Sequence, residues 1–252
     1  MKPIFKLALA CAPIAILAAC GGGSDLADRL DLANPAVRFV HASPAAGNLT
    51  LYSAGASQTQ ATNTAYPFAS NYYDISTAAA DWTTTTATGN VPVGTKVNID
   101  PKRGNKYTIV ALAAGTGSSL YVINDPYNKP LNSTSSHLRV MNASAAAGSV
   151  DVYMTTGTNA DISVAAPNIP AIAFNMSGPA SGNDSVDIPG NTYQVRVFAT
   201  GQRTNPLFSG QLTFGNNQDV LIVTVPDATA VSGISAVVKV EGTNAATVIP
   251  TL

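Results

Sequence analysis

Thiols and charged side chains are scarce in this sequence. Both cysteines lie before residue 21, which excludes disulfide bonds and thiolate metal sites from the rest of the chain. Charged residues make up 11% of the total, less than half the usual share, and the formal net charge is −1. Because a nucleic-acid-binding surface needs concentrated basic charge, we expect no nucleic-acid partner.

Ionisable groups for catalysis or metal binding are also few. The chain has one glutamate, Glu241, and two histidines, His41 and His137. Paired catalytic carboxylates and zinc sites both need several such groups in fixed positions. We therefore predict no catalytic residues, no metal site and no cofactor.

The residues that are abundant favour strands. Hydrophobic residues make up 46% of the 252 positions, which argues against a disordered chain. Valine, isoleucine, threonine and tyrosine suit the half-buried surface of a pleated sheet, and long stretches with the periodicity of an amphipathic helix are absent. The sequence predicts an all-β protein.

An export signal opens the chain. Lys2 and Lys6 give a basic start, and residues 7–17 are apolar but too short to cross a bilayer as a stable helix, which is typical of a signal peptide. Residues 17–20 read Leu-Ala-Ala-Cys. This string resembles a bacterial lipobox, in which the cysteine becomes the lipidated first residue of the mature protein.

That resemblance implies a signal peptide at residues 1–19, a lipid on Cys20 and a tether at residues 20–35 with a flexible Gly/Ser segment. Several acyl chains make membrane attachment effectively permanent. Gly21, rather than aspartate, after the cysteine implies the outer membrane of a Gram-negative bacterium, with the body in the periplasm or on the cell surface. The expected partners are the membrane, through this lipid, and an envelope protein or a glycan.

One pattern occurs twice in the rest of the chain. Residues 37–52 match residues 138–153, with seven of sixteen positions identical. Each copy alternates apolar and polar residues on both sides of a small-residue turn, as a pair of strands does. Residues 71–75 align with 191–195, and residues 106–112 with 218–224.

Two copies about 100 residues apart predict two tandem immunoglobulin-like antiparallel β-sandwich domains. We place the first repeat at residues 36–131 and the second at 137–244. The polar residues 130–136 link them, and a link of this kind is expected to permit hinge motion.

Residues 37–44 (VRFVHASP), followed by a strand that ends at Tyr52, resemble the beginning of the bacterial family called domain of unknown function 4397. The resemblance extends over most of residues 36–241. It implies secreted or lipid-anchored β-sandwich units, often repeated, without a known activity. The second copy departs from the family pattern at Asn142 and Ala145, where the family has histidine and proline.

His41 and Ser43, with an aspartate nearby, would suggest a nucleophilic triad. The second copy has Asn142 at the position of the histidine, and asparagine cannot act as a general base. We therefore expect the side chains of Ser43 and Ser144 to hydrogen-bond the turn backbone instead. Structural roles are assigned to nine positions of the repeat: Arg38, His41, Ser43, Tyr52, Arg139, Asn142, Ser144, Asp151 and Tyr153.

The two arginines of the repeat occupy equivalent strand positions. In the second copy Asp151 lies within cross-strand reach of Arg139, so we expect a charge-assisted pair between them. The first copy has Thr50 in place of the aspartate, which leaves Arg38 without this partner. The alternative role for either arginine is to bind a ligand carboxylate or phosphate.

Aromatic residues concentrate in the first copy. Tyr72, Trp82 and Tyr127 are candidate ligand-facing residues because exposed rings stack on sugars or on partner proteins. The alternative for each is core packing. Tyr72 and Tyr73 point to opposite sides of a strand, so we expect one of them to be buried and the other exposed.

These observations favour a lipid-anchored protein of the cell envelope with a non-catalytic structural or interaction role. The alternative is a carbohydrate- or peptide-binding module that uses the first-copy aromatics or a free sheet edge, since an edge strand accepts an added strand from a partner. An enzyme is the least favoured of the three.

Overall fold

The computed structural model is built from β-strands. It describes residues 32–249 except 90, 115–116, 128–132, 159, 242 and 244–245. These residues form nineteen strands and three short 3-10 turns, and no α-helix occurs among them. The predicted all-β fold is confirmed. The predicted signal peptide, the lipidated Cys20 and most of the predicted tether lie outside the described residues.

The first sandwich consists of two sheets. Its strands are β1 (Ala36–Ala42), β2 (Leu49–Ser53), β3 (Ala56–Ser57), β4 (Phe68–Ala69), β5 (Tyr73–Asp74), β6 (Ala80–Thr86), β7 (Pro92–Ile99), β8 (Lys106–Ala114) and β9 (Gly117–Asp125). We call the sheet ordered β4-β1-β8-β9, in which β5 also pairs with β1, the inner sheet. The outer sheet is ordered β3-β2-β6-β7.

The second sandwich repeats this plan. Its strands are β10 (Ser135–Asn142), β11 (Val150–Thr155), β12 (Ile169–Ile172), β13 (Ser177–Gly178), β14 (Val186–Pro189), β15 (Asn191–Ala199), β16 (Phe208–Phe214), β17 (Asp219–Pro226), β18 (Ile234–Val240) and β19 (Thr247–Ile249). Its inner sheet is ordered β13-β10-β17-β18-β19, with β14 also on β10, and its outer sheet β12-β11-β15-β16.

Each inner sheet contains a parallel pair that the sequence analysis does not predict. β1 runs parallel to β8, and β10 runs parallel to β17. Between the two strands of each pair the chain crosses to the outer sheet and returns, and such a crossover lets the strands point the same way. The predicted antiparallel sandwich holds for the other described pairings.

Each sandwich has its own apolar core between its two sheets. In the first sandwich this core includes Val37, Phe39 and Trp82. In the second it includes Val140 and Val195. The duplicated pattern read from the sequence therefore corresponds to two separately filled sandwich interiors.

A third apolar cluster joins the two inner sheets to each other. Val40 and Val110 of the first sandwich contact it together with Met141 and Val223 of the second. All seven residues of β1 are buried, because its side chains alternate between the core of its own sandwich and this shared cluster. The layers follow the order outer, inner, inner, outer. The prediction that the linker permits hinge motion is wrong, since separating the two sandwiches would expose the shared cluster to water.

The strand registers correct two of the sequence alignments. Ala36 pairs with Lys106, and its repeat equivalent His137 pairs with Asp219. Lys106 is therefore equivalent to Asp219, one residue away from the predicted alignment.

The alignment of residues 71–75 with 191–195 is wrong. Tyr73 lies on β5 beside β1, whereas Tyr193 lies on β15 in the outer sheet. Because β15 pairs with β11 as β6 pairs with β2, the position equivalent to Tyr193 is Ala80. A shared tyrosine suggested the alignment, but the connections between the strands differ in length.

Candidate functional site

His41 is fully buried and holds the turn that follows β1. Its Nδ1 accepts the backbone N–H of Ser43 at 3.3 Å, and its Nε2 lies 2.7 Å from the carbonyl oxygen of Gly47. Because Nδ1 is an acceptor, the network assigns the ring proton to Nε2, which donates to Gly47. Burial lowers the pKa of His41, against the opposing effect of the bond to Gly47. Both ring nitrogens are occupied by turn backbone.

Asn142 holds the equivalent turn of the second sandwich, after β10. Its Oδ1 accepts the backbone N–H of Ser144 at 3.3 Å, and its Nδ2 donates to the carbonyl oxygen of Gly148 at 2.7 Å. Nδ2 also donates to the carbonyl of Ile172, and Oδ1 accepts the hydroxyl of Thr224. Histidine and asparagine thus present one donor and one acceptor to the same two backbone groups.

The turn is bound through the backbone of the serines. Neither Ser43 nor Ser144 caps its 3-10 turn with the side chain. The hydroxyl of Ser144 is buried and has no hydrogen-bond partner among the described residues. The prediction that the Ser144 hydroxyl binds turn backbone is therefore wrong. Ser144 contributes to the turn through its backbone N–H, which Asn142 Oδ1 accepts.

Arg139 is buried and connects the two sandwiches. It is 2% exposed, and its Nη2 lies 3.2 Å from Oδ2 of Asp125, at the end of β9 in the first sandwich. It also donates to the carbonyls of Pro179, Ala180 and Asn183 in its own sandwich. A planar guanidinium with five donors suits this fan of acceptors.

The predicted Arg139–Asp151 pair is wrong. Asp151 lies on β11 in the outer sheet, and its carboxylate accepts the backbone N–H groups of Ala171 at 2.7 Å and Gly201 at 2.9 Å. Arg139 lies on β10 and faces the other sandwich. The two residues belong to different sheets, so adjacency along the hairpin does not bring their side chains together.

Arg38 occupies the equivalent buried position in the first sandwich, where it is 4% exposed. Its Nε donates to the hydroxyl of Thr108 at 2.8 Å, and its guanidinium carbon lies 4.5 Å from the ring centroid of Tyr72. A guanidinium over an aromatic face gains a cation–π attraction. This arginine is therefore held by neutral and aromatic groups where Arg139 has a carboxylate.

A cluster of three charged groups, two buried and one half-buried, also connects the sandwiches. Lys106 Nζ lies 3.2 Å from Asp219 Oδ2 and 3.1 Å from Glu241 Oε1. The ammonium also lies 3.4 Å from the ring centroid of Tyr127 and 5.1 Å from that of Tyr72. We call Lys106, Asp219 and Glu241 the junction triad.

Contacts within the junction triad shift the pKa values of Lys106 and Glu241. Burial would lower the pKa of Lys106, but the carboxylates of Asp219 and Glu241 outweigh it and raise that pKa. Burial, a hydrogen bond to Asp219 and the charge of that carboxylate raise the pKa of Glu241 to about 7. Two adjacent carboxylates share a proton readily because both cannot ionise without repulsion.

Sequence reasoning missed the junction triad and Asp125. A one-residue shift in the alignment of the two copies would have indicated the triad, because it brings Lys106 and Asp219, which have opposite charges, to equivalent positions. In a single sequence each of these residues looks like an ordinary charged strand end.

The three candidate ligand-facing aromatics are engaged within the protein. Tyr127 is 3% exposed and packs under Lys106, so its ligand-facing assignment is wrong. The assignment is also wrong for Tyr72, whose half-buried ring lies against Arg38. Trp82 is 2% exposed and belongs to the first core, which excludes an exposed stacking platform.

Tyr72 and Tyr73 were expected to differ in exposure, and this prediction is wrong. Both are half-buried. Tyr73 packs against the first core, whereas Tyr72 lies among the charged groups between the sandwiches. The strand does send the two rings to opposite sides, but the second sandwich covers the side that was expected to be free.

The tyrosines that end the repeat motif differ in their surroundings. Tyr52 is half-buried on β2. Tyr153, its equivalent on β11, is buried, and its ring meets that of Phe198 edge-on at 5.6 Å. A satellite apolar cluster forms there on the outer face of the second sandwich.

Clefts open at several places in the described part of the chain. One of about 300 Å³ is at the end of the first sandwich and is lined in part by Trp82. A second, of about 420 Å³, lies beside Arg196 and Arg203, which donate to carbonyls of the loop after β11. A third, of about 230 Å³, lies between β16 and the β18–β19 edge.

Within the described residues, no group of three or more histidine, cysteine, aspartate or glutamate side chains is placed to hold a metal ion. None of those residues forms a helix long and apolar enough to cross a membrane.

The sequence of the first sandwich matches a known family. Residues 35–153 match the model described as "Domain of unknown function (DUF4397)". The DUF4397 match begins just before β1 and ends at Tyr153 on β11, so it includes the first sandwich, the His41 turn and the equivalent Asn142 turn. The family resemblance stated from residues 37–44 is confirmed.

Other comparisons add little to the DUF4397 assignment. No curated protein matches this chain. Among solved structures the chain is similar to CBMbc, a family CBM26 module from Eubacterium rectale Amy13K crystallised with maltoheptaose. The identity is 8%, the match covers 86% of this chain and 97% of that one, and the TM-score is 0.25.

Proposed function

We propose that this chain is a lipid-anchored protein of the bacterial cell envelope whose paired sandwiches have a non-catalytic structural or interaction role. The observation that carries the proposal is the use of its buried ionic groups. Arg139 and Lys106 each bind a carboxylate of the other sandwich, and both nitrogens of His41 bind turn backbone. Groups committed to such contacts stabilise a rigid body rather than react with a substrate.

Support for the lipid anchor comes from the first residues of the sequence. A short apolar segment before Cys20, followed by Gly21 and a Gly/Ser run, matches an export signal with a lipid attachment site. A flexible tether of this composition would let a rigid body sample orientations above the membrane. The envelope is thus where a partner, either a protein or a glycan, would be met.

The anchor is tested by substituting Cys20. Cys20→Ser should release the protein from membranes, because the remaining chain has no acyl group to bury. Cys11→Ser is the matched control, since this cysteine lies in the segment that is removed, and it should leave membrane association unchanged. If the Cys20→Ser protein still sediments with membranes, the lipid anchor is excluded.

The outer-membrane assignment has its own test. Gly21→Asp should move the protein to the inner-membrane fraction when the membranes are separated by density. An unchanged distribution would contradict the sorting assignment and leave the lipid anchor standing.

Carbohydrate or peptide binding is the second candidate function. The cleft beside Trp82 favours it, because this cleft is lined by both polar and apolar groups. The edge strand β7 is a poorer site for an added peptide strand, since Pro92 and Lys96 are typical of protected edges.

A further inference from the structure

The cleft at the end of the first sandwich owes its space to small residues. Ala80, at the start of β6, and the adjacent alanines form one wall, and Trp82 lies two residues further along the same face. Polar groups of Ser53, Gln58 and Asp74 complete the lining. The volume of about 300 Å³ lies at the lower end of the range for small-molecule sites.

A large side chain occupies the equivalent position of the second sandwich. Tyr193 is equivalent to Ala80 and is 8% exposed. Its ring lies 5.7 Å from that of Phe214, and its hydroxyl donates to the carbonyl of Pro189 at 2.9 Å. Val195 replaces Trp82 there and is fully buried. The second sandwich therefore has the large side chain of Tyr193 at the position where Ala80 leaves space in the first.

Trp82, one of the residues that line this cleft, carries a buried polar atom without a partner in the described part of the chain. Its indole Nε1–H is buried and has no hydrogen-bond partner among the described residues. An unsatisfied buried donor costs about 1–3 kcal/mol, and native proteins rarely retain one without a reason. A bound molecule with an acceptor oxygen would satisfy it.

The lining restricts the chemistry of such a molecule. Asp74 is the one ionisable side chain in this lining, and its carboxylate is exposed and would repel an anion. Ser53 and Gln58 offer both donors and acceptors, and Ile75 and Ala80 offer apolar contact. An uncharged ring with several hydroxyl groups meets all of these conditions.

We propose that this cleft binds a single neutral sugar ring, with Trp82 Nε1–H donating to a sugar oxygen and Asp74 accepting from a hydroxyl. The site deepens the interaction role proposed above by naming a glycan as the partner. It does not depend on the lipid anchor, because the cleft belongs to the folded body.

Trp82 also supplies the measurement, because it is the only tryptophan of the chain. The full-length protein is purified in a detergent without a sugar headgroup and titrated with glucose, galactose, mannose and N-acetylglucosamine. At least one of them should change the tryptophan emission in a saturable way, with a dissociation constant on the order of 1 mM for so small a ligand. Glucuronate should bind at least about tenfold more weakly because of Asp74.

Ala80→Tyr is the decisive variant, since it fills the cleft as Tyr193 fills the other sandwich. It should abolish the emission change while the melting temperature stays near that of the unmodified protein. Thr83→Tyr places the same ring on the opposite face of β6 and should leave binding unchanged. Asp74→Asn should bring the affinities for glucose and glucuronate closer together.

Trp82→Phe keeps an aromatic ring and removes the N–H. Calorimetric titration of this variant should show affinity reduced by about tenfold, the effect of one lost hydrogen bond. The proposal is overturned if the folded Thr83→Tyr protein responds to none of the four sugars, or if Ala80→Tyr responds like the unmodified protein. Either result would leave the membrane release of Cys20→Ser unaffected, so the two proposals fail separately.

Discussion

Lys106 and Asp219 occupy equivalent positions in the two sandwiches and bind each other, with Nζ and Oδ2 3.2 Å apart. Contact between equivalent positions is characteristic of a two-fold arrangement. Asp125 and Glu241 lie opposite Lys106 and Asp219 on the neighbouring strands. Each binds a cation of the other sandwich, but these cations, Arg139 and Lys106, are not equivalent to each other. The Lys106–Asp219 contact therefore resembles one across the axis of a symmetric dimer, whereas the ion pairs around it do not follow that symmetry.

The junction triad should respond strongly to loss of its cation. Lys106→Met leaves the buried carboxylate of Asp219 and the half-buried one of Glu241 without this positive partner. It should lower the free energy of unfolding by about 3–5 kcal/mol, measured by urea denaturation. Lys96→Met is the control, because its ion pair with Asp81 is exposed, at 67% and 43% of the two side chains, and should change stability by no more than about 0.5 kcal/mol. Equal effects of the two substitutions would contradict the role of the triad.

Glu241 should make stability depend on pH. Its pKa is raised from 4.5 to about 7, so its contribution to stability is fully present below pH 4.5 and is lost as the pH rises through 7. Glutamine imitates the protonated acid without titrating. The stability of the unmodified protein relative to Glu241→Gln should therefore fall between pH 4.5 and 7, measured by unfolding at several pH values. A difference that is constant or rises would exclude this titration.

The turn histidine should be replaceable by asparagine but not by alanine. His41→Asn supplies one donor and one acceptor, as Asn142 does, and should cost no more than about 1 kcal/mol. His41→Ala loses both hydrogen bonds and leaves a cavity, and should cost about 2–4 kcal/mol. Thermal denaturation of both variants measures the difference. If asparagine is as damaging as alanine, the equivalence of the two turns is wrong.

Arg139 should couple energetically to Asp125 and not to Asp151. A double-mutant cycle with Arg139→Met and Asp125→Asn should give an interaction energy above about 1 kcal/mol, because the two groups are in buried contact. The same cycle with Asp151→Asn should be additive within about 0.5 kcal/mol. Coupling to Asp151 alone would restore the pair expected from the hairpin.

Local sequence patterns predicted the elements of the repeat. The alternation in residues 37–52 and 138–153 predicted the strands on both sides of the turn, and the substitution of His41 by Asn142 predicted a structural turn in place of a triad. These features depend on neighbours within a few residues, where the geometry of strand and turn is set by the chain itself. The Arg139–Asp151 prediction failed because the hairpin joins two sheets rather than one.

Strand periodicity and short motifs are local properties, so the sequence alone predicted a duplicated all-β body, a resemblance to a known family and the likeness of the first residues to a lipoprotein signal. The tertiary structure was needed to show that the sandwiches meet face to face through Val40 and Met141, that Lys106 binds Asp219, and that Tyr193 occupies the position where Ala80 leaves space. Those relationships join residues from distant parts of the chain. They depend on which face of each sheet is covered, and a strand pattern buried on both sides does not reveal which neighbour covers it.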